Sequence, residues 1–74
     1  MKALTRITLD PEVMGGKPCI RGMRVRVQDV LELMANGLTP EEITKQLPYV
    51  EVNDVRACLE FAAKRIAHPT LGVA

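Results

Sequence analysis

Residues 37–48 (GLTPEEITKQLP) constrain what this chain can fold into more than any other stretch. Thr39 is placed as an N-cap, Pro40 takes the first helical position, and Glu42 stands where it closes a capping box. Leu38 and Ile43 flank the cap as a hydrophobic staple, and Glu41 and Glu42 suit the positive end of the helix dipole. Gly37 ends any helix before this one, and Pro48 ends this one. Only about two turns fit between them, and a helix that short does not form alone in water. Its inward residues, Ile43 and Leu47, must therefore be buried between neighbours.

The flanking segments supply those neighbours. In residues 28–36, with Val27 before them, Val27, Val30, Leu31 and Met34 fall at i, i+3, i+4 and i+7. Residues 52–67 predict the longest helix, with Val52, Val55, Leu59, Ala62 and Ile66 in one narrow arc. Glu51 falls at its cap, a weaker N-cap than Thr or Ser, and Asn53 and Asp54 are placed to help with the free N–H groups. Phe61 lies roughly 120° from the centre of the arc and shares a face with Ala57 and Cys58. Two readings stand for that face: the arm or tail folds over it, or a second subunit meets it.

Upstream, residues 4–9 (LTRITL) read as a short strand that Asp10-Pro11 breaks into a turn. Residues 18–20 and 23–27 are two further β candidates around a tight turn at Arg21-Gly22. In the second, Met23, Val25 and Val27 share one face, and Arg24 and Arg26 the other. The expected fold is mainly α: a three-helix, homeodomain-like helix-turn-helix bundle with a short N-terminal β arm or hairpin. All 74 residues form one domain, with the arm at 1–27, the bundle at 28–67 and a tail at 68–74.

A chain this short has a thin margin of stability, about 3–5 kcal/mol from its core alone. Cys19 and Cys58 fall in different elements, so a disulfide is not expected. His68 is the one histidine and no metal-ligand spacing occurs, so neither metal nor cofactor is expected. A homodimer is the remaining source of burial, with Met23, Val25, Ala57 and Phe61 as its candidate partner surface. No apolar run approaches the roughly 20 residues that span a bilayer, and the chain reads as cytoplasmic.

The formal charge of +1 hides an asymmetry. Residues 1–26 hold Lys2, Arg6, Lys17, Arg21, Arg24 and Arg26 against Asp10 and Glu12, whereas the rest of the chain has more acids than cations. A basic arm on an acidic body points to phosphate or an acidic protein surface. Lys17, Arg21, Arg24 and Arg26 are the candidate phosphate binders. If the last helix enters a major groove, Asn53 is placed for adenine and Arg56 for guanine or phosphate, while Glu51, Asp54 and Glu60 oppose that. Gly15-Gly16-Lys17 is not a phosphate loop, because Pro18 and a β segment follow where Ser or Thr and a helix are needed. No nucleophile–base pair is in evidence and no catalytic residue is assigned; an enzyme reading would need a ligand near Lys17 and Cys19.

The run Asp10-Pro11-x-x-x-Gly15-Gly16-Lys17-Pro18-x-Ile20-Arg21-Gly22-x-Arg24-x-x-Val27 resembles the signature of the bacterial family called domain of unknown function 433. The likeness continues through Val30-Leu31, Gly37-Leu38, Pro40-Glu41-Glu42-Ile43, Leu47-Pro48 and Asp54-Val55-x-Ala57-x-Leu59-x-Phe61-Ala62, about residues 5–63 in all. Met23 and Glu51 depart from it, at positions where the family usually has Thr, and Thr or Ser. The resemblance implies a compact, often dimeric helix-turn-helix relative that acts as an antitoxin, masking a PIN-like ribonuclease toxin and repressing its own operon on double-stranded DNA. A protein-interaction module without DNA binding is the alternative.

Overall fold

The computed structural model describes residues 6–67. In chain order they form strand β1 (Ile7–Thr8), a 3-10 turn (Met14–Gly16), strand β2 (Cys19–Ile20), and helices α1 (Val27–Ala35), α2 (Pro40–Gln46) and α3 (Val52–Ile66). The mainly helical fold with a small antiparallel N-terminal sheet is the one the sequence predicts. The assigned tail at 68–74 lies outside the described residues.

β1 and β2 pair antiparallel, Ile7 opposite Ile20 and Thr8 opposite Cys19. β2 also bonds to the chain that follows it: the Ile20 N–H donates to the Val25 carbonyl at 2.9 Å and the Val27 N–H to the Pro18 carbonyl at 2.9 Å. The turn between them is the Arg21-Gly22 turn expected from the sequence. Both residues have positive φ, 47° and 75°, and the Met23 N–H closes the turn on the Ile20 carbonyl at 2.8 Å. Glycine takes this backbone freely, but arginine does so only under strain, so other contacts must hold Arg21 there.

α1 ends in a Schellman motif at Gly37 (φ 98°), with the Leu38 N–H on the Leu33 carbonyl at 3.2 Å and the Gly37 N–H on the Met34 carbonyl at 2.9 Å. The α2 capping box forms as read: Thr39 Oγ1 accepts from the Glu42 N–H at 3.2 Å, and Glu42 Oε1 accepts from the Thr39 N–H at 2.8 Å. The three helices pack on one another, and β1 packs on α3. Ile7, Ile20, Val25, Val27, Val30, Ile43, Val50, Val55 and Cys58 form the core. Its largest fully buried side chains are isoleucines.

α3 is rotated relative to the sequence expectation. Val52, Leu59 and Ile66, predicted to share the inward arc with Val55 and Ala62, are 41%, 43% and 68% exposed. The buried face runs instead through Asp54, Val55, Ala57 and Cys58, with Phe61 packed against the core. A buried carboxylate at the centre of that face displaces the apolar stripe outward. Val25 and Ala57 are buried within the protomer, and Met23 and Phe61 pack against its core. Of the four residues assigned to a subunit contact, Val25 and Ala57 are thus taken up by the core, and Met23 and Phe61 keep part of their surface exposed.

Candidate interaction surface

The first turn of α3 meets the arm at Asp54, which is fully buried. Its Oδ1 accepts Arg6 Nη1 at 2.8 Å and Arg21 Nε at 3.1 Å. Its Oδ2 accepts Arg21 Nη2 at 2.8 Å and the Glu51 N–H at 2.8 Å. Four donors thus fill the acceptor sites of one carboxylate. Arg21 Nη2 also donates to the Tyr49 carbonyl at 2.8 Å, and Arg6 Nη1 to Glu51 Oε1 at 2.9 Å. The sheet sets the two arginines side by side, since the Arg21 N–H donates to the Arg6 carbonyl at 2.8 Å. Among the described residues no buried side-chain polar atom lacks a partner.

Burial on its own would push the Asp54 carboxyl up. The bonds from Arg21, the Glu51 N–H and Arg6 outweigh it and hold the group below its ordinary range. The pairing also explains the Arg21 backbone: a short fork between charged groups holds a φ that arginine otherwise avoids.

A third arm arginine, Arg26, is also tied down. Arg26 donates through Nε and Nη2 to Asp29 at 3.1 and 2.7 Å, and its N–H bonds the same carboxylate at 3.0 Å. This closes the start of α1, and the Arg26 bonds hold the Asp29 carboxyl low. Of the six residues assigned to nucleic acid, then, Arg21 and Arg26 are engaged within the chain. Each is paired with an acid, Arg21 with Asp54 and Arg26 with Asp29, and keeps part of its side chain in solvent. Lys17, Arg24, Asn53 and Arg56 are exposed, and Lys17, Arg24 and Arg56 pair with no acid among the described residues.

The exposed four come from two parts of the chain. Lys17 and Arg24 belong to the arm, while Asn53 and Arg56 lie on α3. At the start of α3, Arg6 and Arg21 bond the buried Asp54, while Glu51, Val52 and Asn53 stay exposed. Sequence reasoning missed Arg6 and Asp54 as a pair, because 48 residues separate them. The one local signal was Asp54 at the third helical position, where a carboxylate can reach back to the cap N–H.

A groove of about 260 Å³ opens between α1 and α3, floored by Leu31, Phe61, Ala62 and Ile66, with Lys17 and Arg65 at its rim. The Arg65 guanidinium stacks 4.7 Å from the Phe61 ring centroid. Cys58 is buried, and burial pushes its thiol up to about 12, so it is not a nucleophile at neutral pH. Among the described residues no cluster of His, Cys, Asp and Glu is arranged to hold a metal, and no helix is long and apolar enough to cross a membrane.

Comparison with known proteins agrees with the resemblance in the arm and helices. The chain is 32% identical over 56 residues to the uncharacterized protein y4eO of Sinorhizobium fredii (strain NBRC 101917 / NGR234). The match takes in 76% of this chain and 25% of that relative, so the chain spans about a quarter of the relative's length. No solved structure matches. The family described as Protein of unknown function (DUF433) matches over residues 7–62, from β1 through the body of α3, and the chain belongs to that family.

Proposed function

We propose that this protein is an antitoxin-like DNA-binding regulator of a toxin–antitoxin operon, a cytoplasmic homodimer that neutralises a PIN-like ribonuclease toxin. The DNA half of the reading rests on one observation. Arg24 and Lys17 are exposed and unpaired on an arm whose other two described C-terminal arginines, Arg21 and Arg26, are pinned to acids. The pinned pair fixes the ribbon, and the free pair is left to meet phosphate. The arm that carries these two exposed cations makes the contact, and Asn53 and Arg56 at the exposed start of α3 stand free to add to it. The toxin half is supported by the resemblance in residues 10–27 and 37–62.

The test is binding to duplex DNA from upstream of the protein's own gene, measured by fluorescence anisotropy between 50 and 200 mM salt, a range over which phosphate contacts weaken roughly log-linearly. Affinity falls linearly with salt on logarithmic axes, and Lys17→Ala with Arg24→Ala lowers the slope by about one per cation removed. A flat response removes the DNA half. Co-purification with a nuclease encoded beside the gene, and loss of that nuclease's activity, tests the toxin half separately.

The second reading, an interaction module without DNA binding, is favoured by the exposed apolar line of Val52, Leu59 and Ile66. Under it the native chain retains no DNA at any salt, yet still captures its protein partner.

A further inference from the structure

We infer that this chain pairs with a second copy of itself through the turn after β1. Leu9 of each copy enters the other's groove between α1 and α3, and Glu12 meets Arg65 at the rim. This names the contact surfaces of the homodimer in the proposed function and rests on that part of it, whether or not DNA is bound.

The groove has an apolar floor of Leu31, Phe61, Ala62 and Ile66 beneath two cations, Lys17 and Arg65, and no acid lines it. Both cations are exposed, and neither forms an ion pair among the described residues. Arg65 stacks on Phe61, which uses the face of its guanidinium and leaves the N–H edge for an acceptor. At about 260 Å³ the groove is smaller than the roughly 300–1,000 Å³ of a pocket that encloses a whole small molecule. It suits one apolar side chain brought by another chain, with a carboxylate beside it.

The protein carries such a segment on its own surface. Leu9 is 59% exposed. Asp10 and Glu12, just after it, are also exposed and form no ion pair among the described residues. A turn holds the segment in shape. The Val13 N–H donates to the Asp10 carbonyl at 2.9 Å, and the Glu12 N–H to Asp10 Oδ1 at 2.9 Å. Asp10 thus serves the turn and the Glu12 carboxylate is spare. An anchor on a turn already closed loses little freedom on binding.

Turn and groove are neighbours on one surface. Pro11 lies against Gly16, and the next residue, Lys17, stands at the groove's rim. Leu9 does not line the groove of its own protomer. A two-fold axis between two adjacent, complementary patches brings each turn to the partner's groove, so the dimer closes and every contact is made twice. Arg65 takes the carboxylate, and Lys17 adds its charge to the rim.

Paired charge reversal on the full chain, read by sedimentation velocity, tests the contact. Arg65→Glu and Glu12→Arg leave the circular-dichroism melt of the protomer in place, since both side chains are exposed. Each raises the dimer dissociation constant by at least about 10-fold, because like charges then face each other at both contacts. An equal mixture of the two variants dimerises as the native chain does. In the mixed dimer one contact is native and the other has its charges exchanged. Leu9→Ala, which alters no charge, weakens the dimer as well. A native chain that sediments as a monomer, whatever else then fills the groove, overturns the inference. So does either reversed variant that stays dimeric, or a mixture that associates no better than its parts. Lys17 and Arg24 stay in place in every variant, and DNA retention by the native dimer is read separately, so the failure of DNA binding and the failure of this contact are told apart.

Discussion

Arg21 holds Asp54 with a two-pronged fork, Nε to Oδ1 at 3.1 Å and Nη2 to Oδ2 at 2.8 Å, across 33 residues of sequence. The fork links the hairpin turn to the first turn of the last helix. It fixes where the arm lies and which face of α3 looks inward. The residue that reads most naturally as a phosphate contact is thus a structural clamp, and the acid that reads as an obstacle to DNA is its anchor.

Replacing Asp54 by alanine leaves Arg6 and Arg21 facing a buried void. The expected loss is about 3 kcal/mol, the low end for breaking a buried pair, because both arginines remain partly in water. A domain this small has a margin of about that size. Urea titration followed by far-UV circular dichroism should find Asp54→Ala largely unfolded at 25 °C. A midpoint near that of the parent chain would contradict the assignment.

Acid should weaken the fold through the same groups. Asp54 and Asp29 are both held below their ordinary 3.8 in the folded chain. Their contribution is complete above the unfolded value and is lost as pH falls through the folded one, because in that window the unfolded chain binds more protons. The urea midpoint should be flat from pH 7 to about 5 and fall below it. Asp54→Asn should lower the plateau and flatten the fall. Stability that rises on acidification through this window would have the wrong sign.

Thr39→Ala removes one half of the α2 capping box. The expected cost is about 1 kcal/mol, read as a lower urea midpoint at unchanged slope, with Thr39→Ser recovering most of it. An unchanged midpoint in Thr39→Ala would mean that packing of Ile43 alone sets the helix.

Much of this fold was legible locally. The Thr39–Glu42 box, the stop at Gly37 and the turn at Arg21-Gly22 each follow from residues within a few positions of one another; the β segment expected over 23–27 forms no strand, because only Arg26 bridges Cys19 and Val27 already begins α1. The rotation of α3 was not legible, because apolar periodicity counts only apolar residues. Val52, Val55, Leu59, Ala62 and Ile66 define an arc, but a carboxylate with four donors outweighs it, and three of those donors come from residues 6 and 21. Arg26 and Asp29 were within local reach, three apart. Strand alternation makes Arg26 an outward cation, but it is the N-cap of α1, and its side chain folds onto Asp29 in that helix's first turn.

The clamp is tested most directly by a double-mutant cycle on Arg21 and Asp54, with Arg21→Ala, Asp54→Ala and the double variant compared by thermal and urea unfolding. Strong coupling is expected: once Asp54 is gone, removing Arg21 should cost little more, and the double variant should be at least as stable as Asp54→Ala alone. Two losses that simply add would mean that the two side chains act independently, and the orientation of α3 would then need another cause.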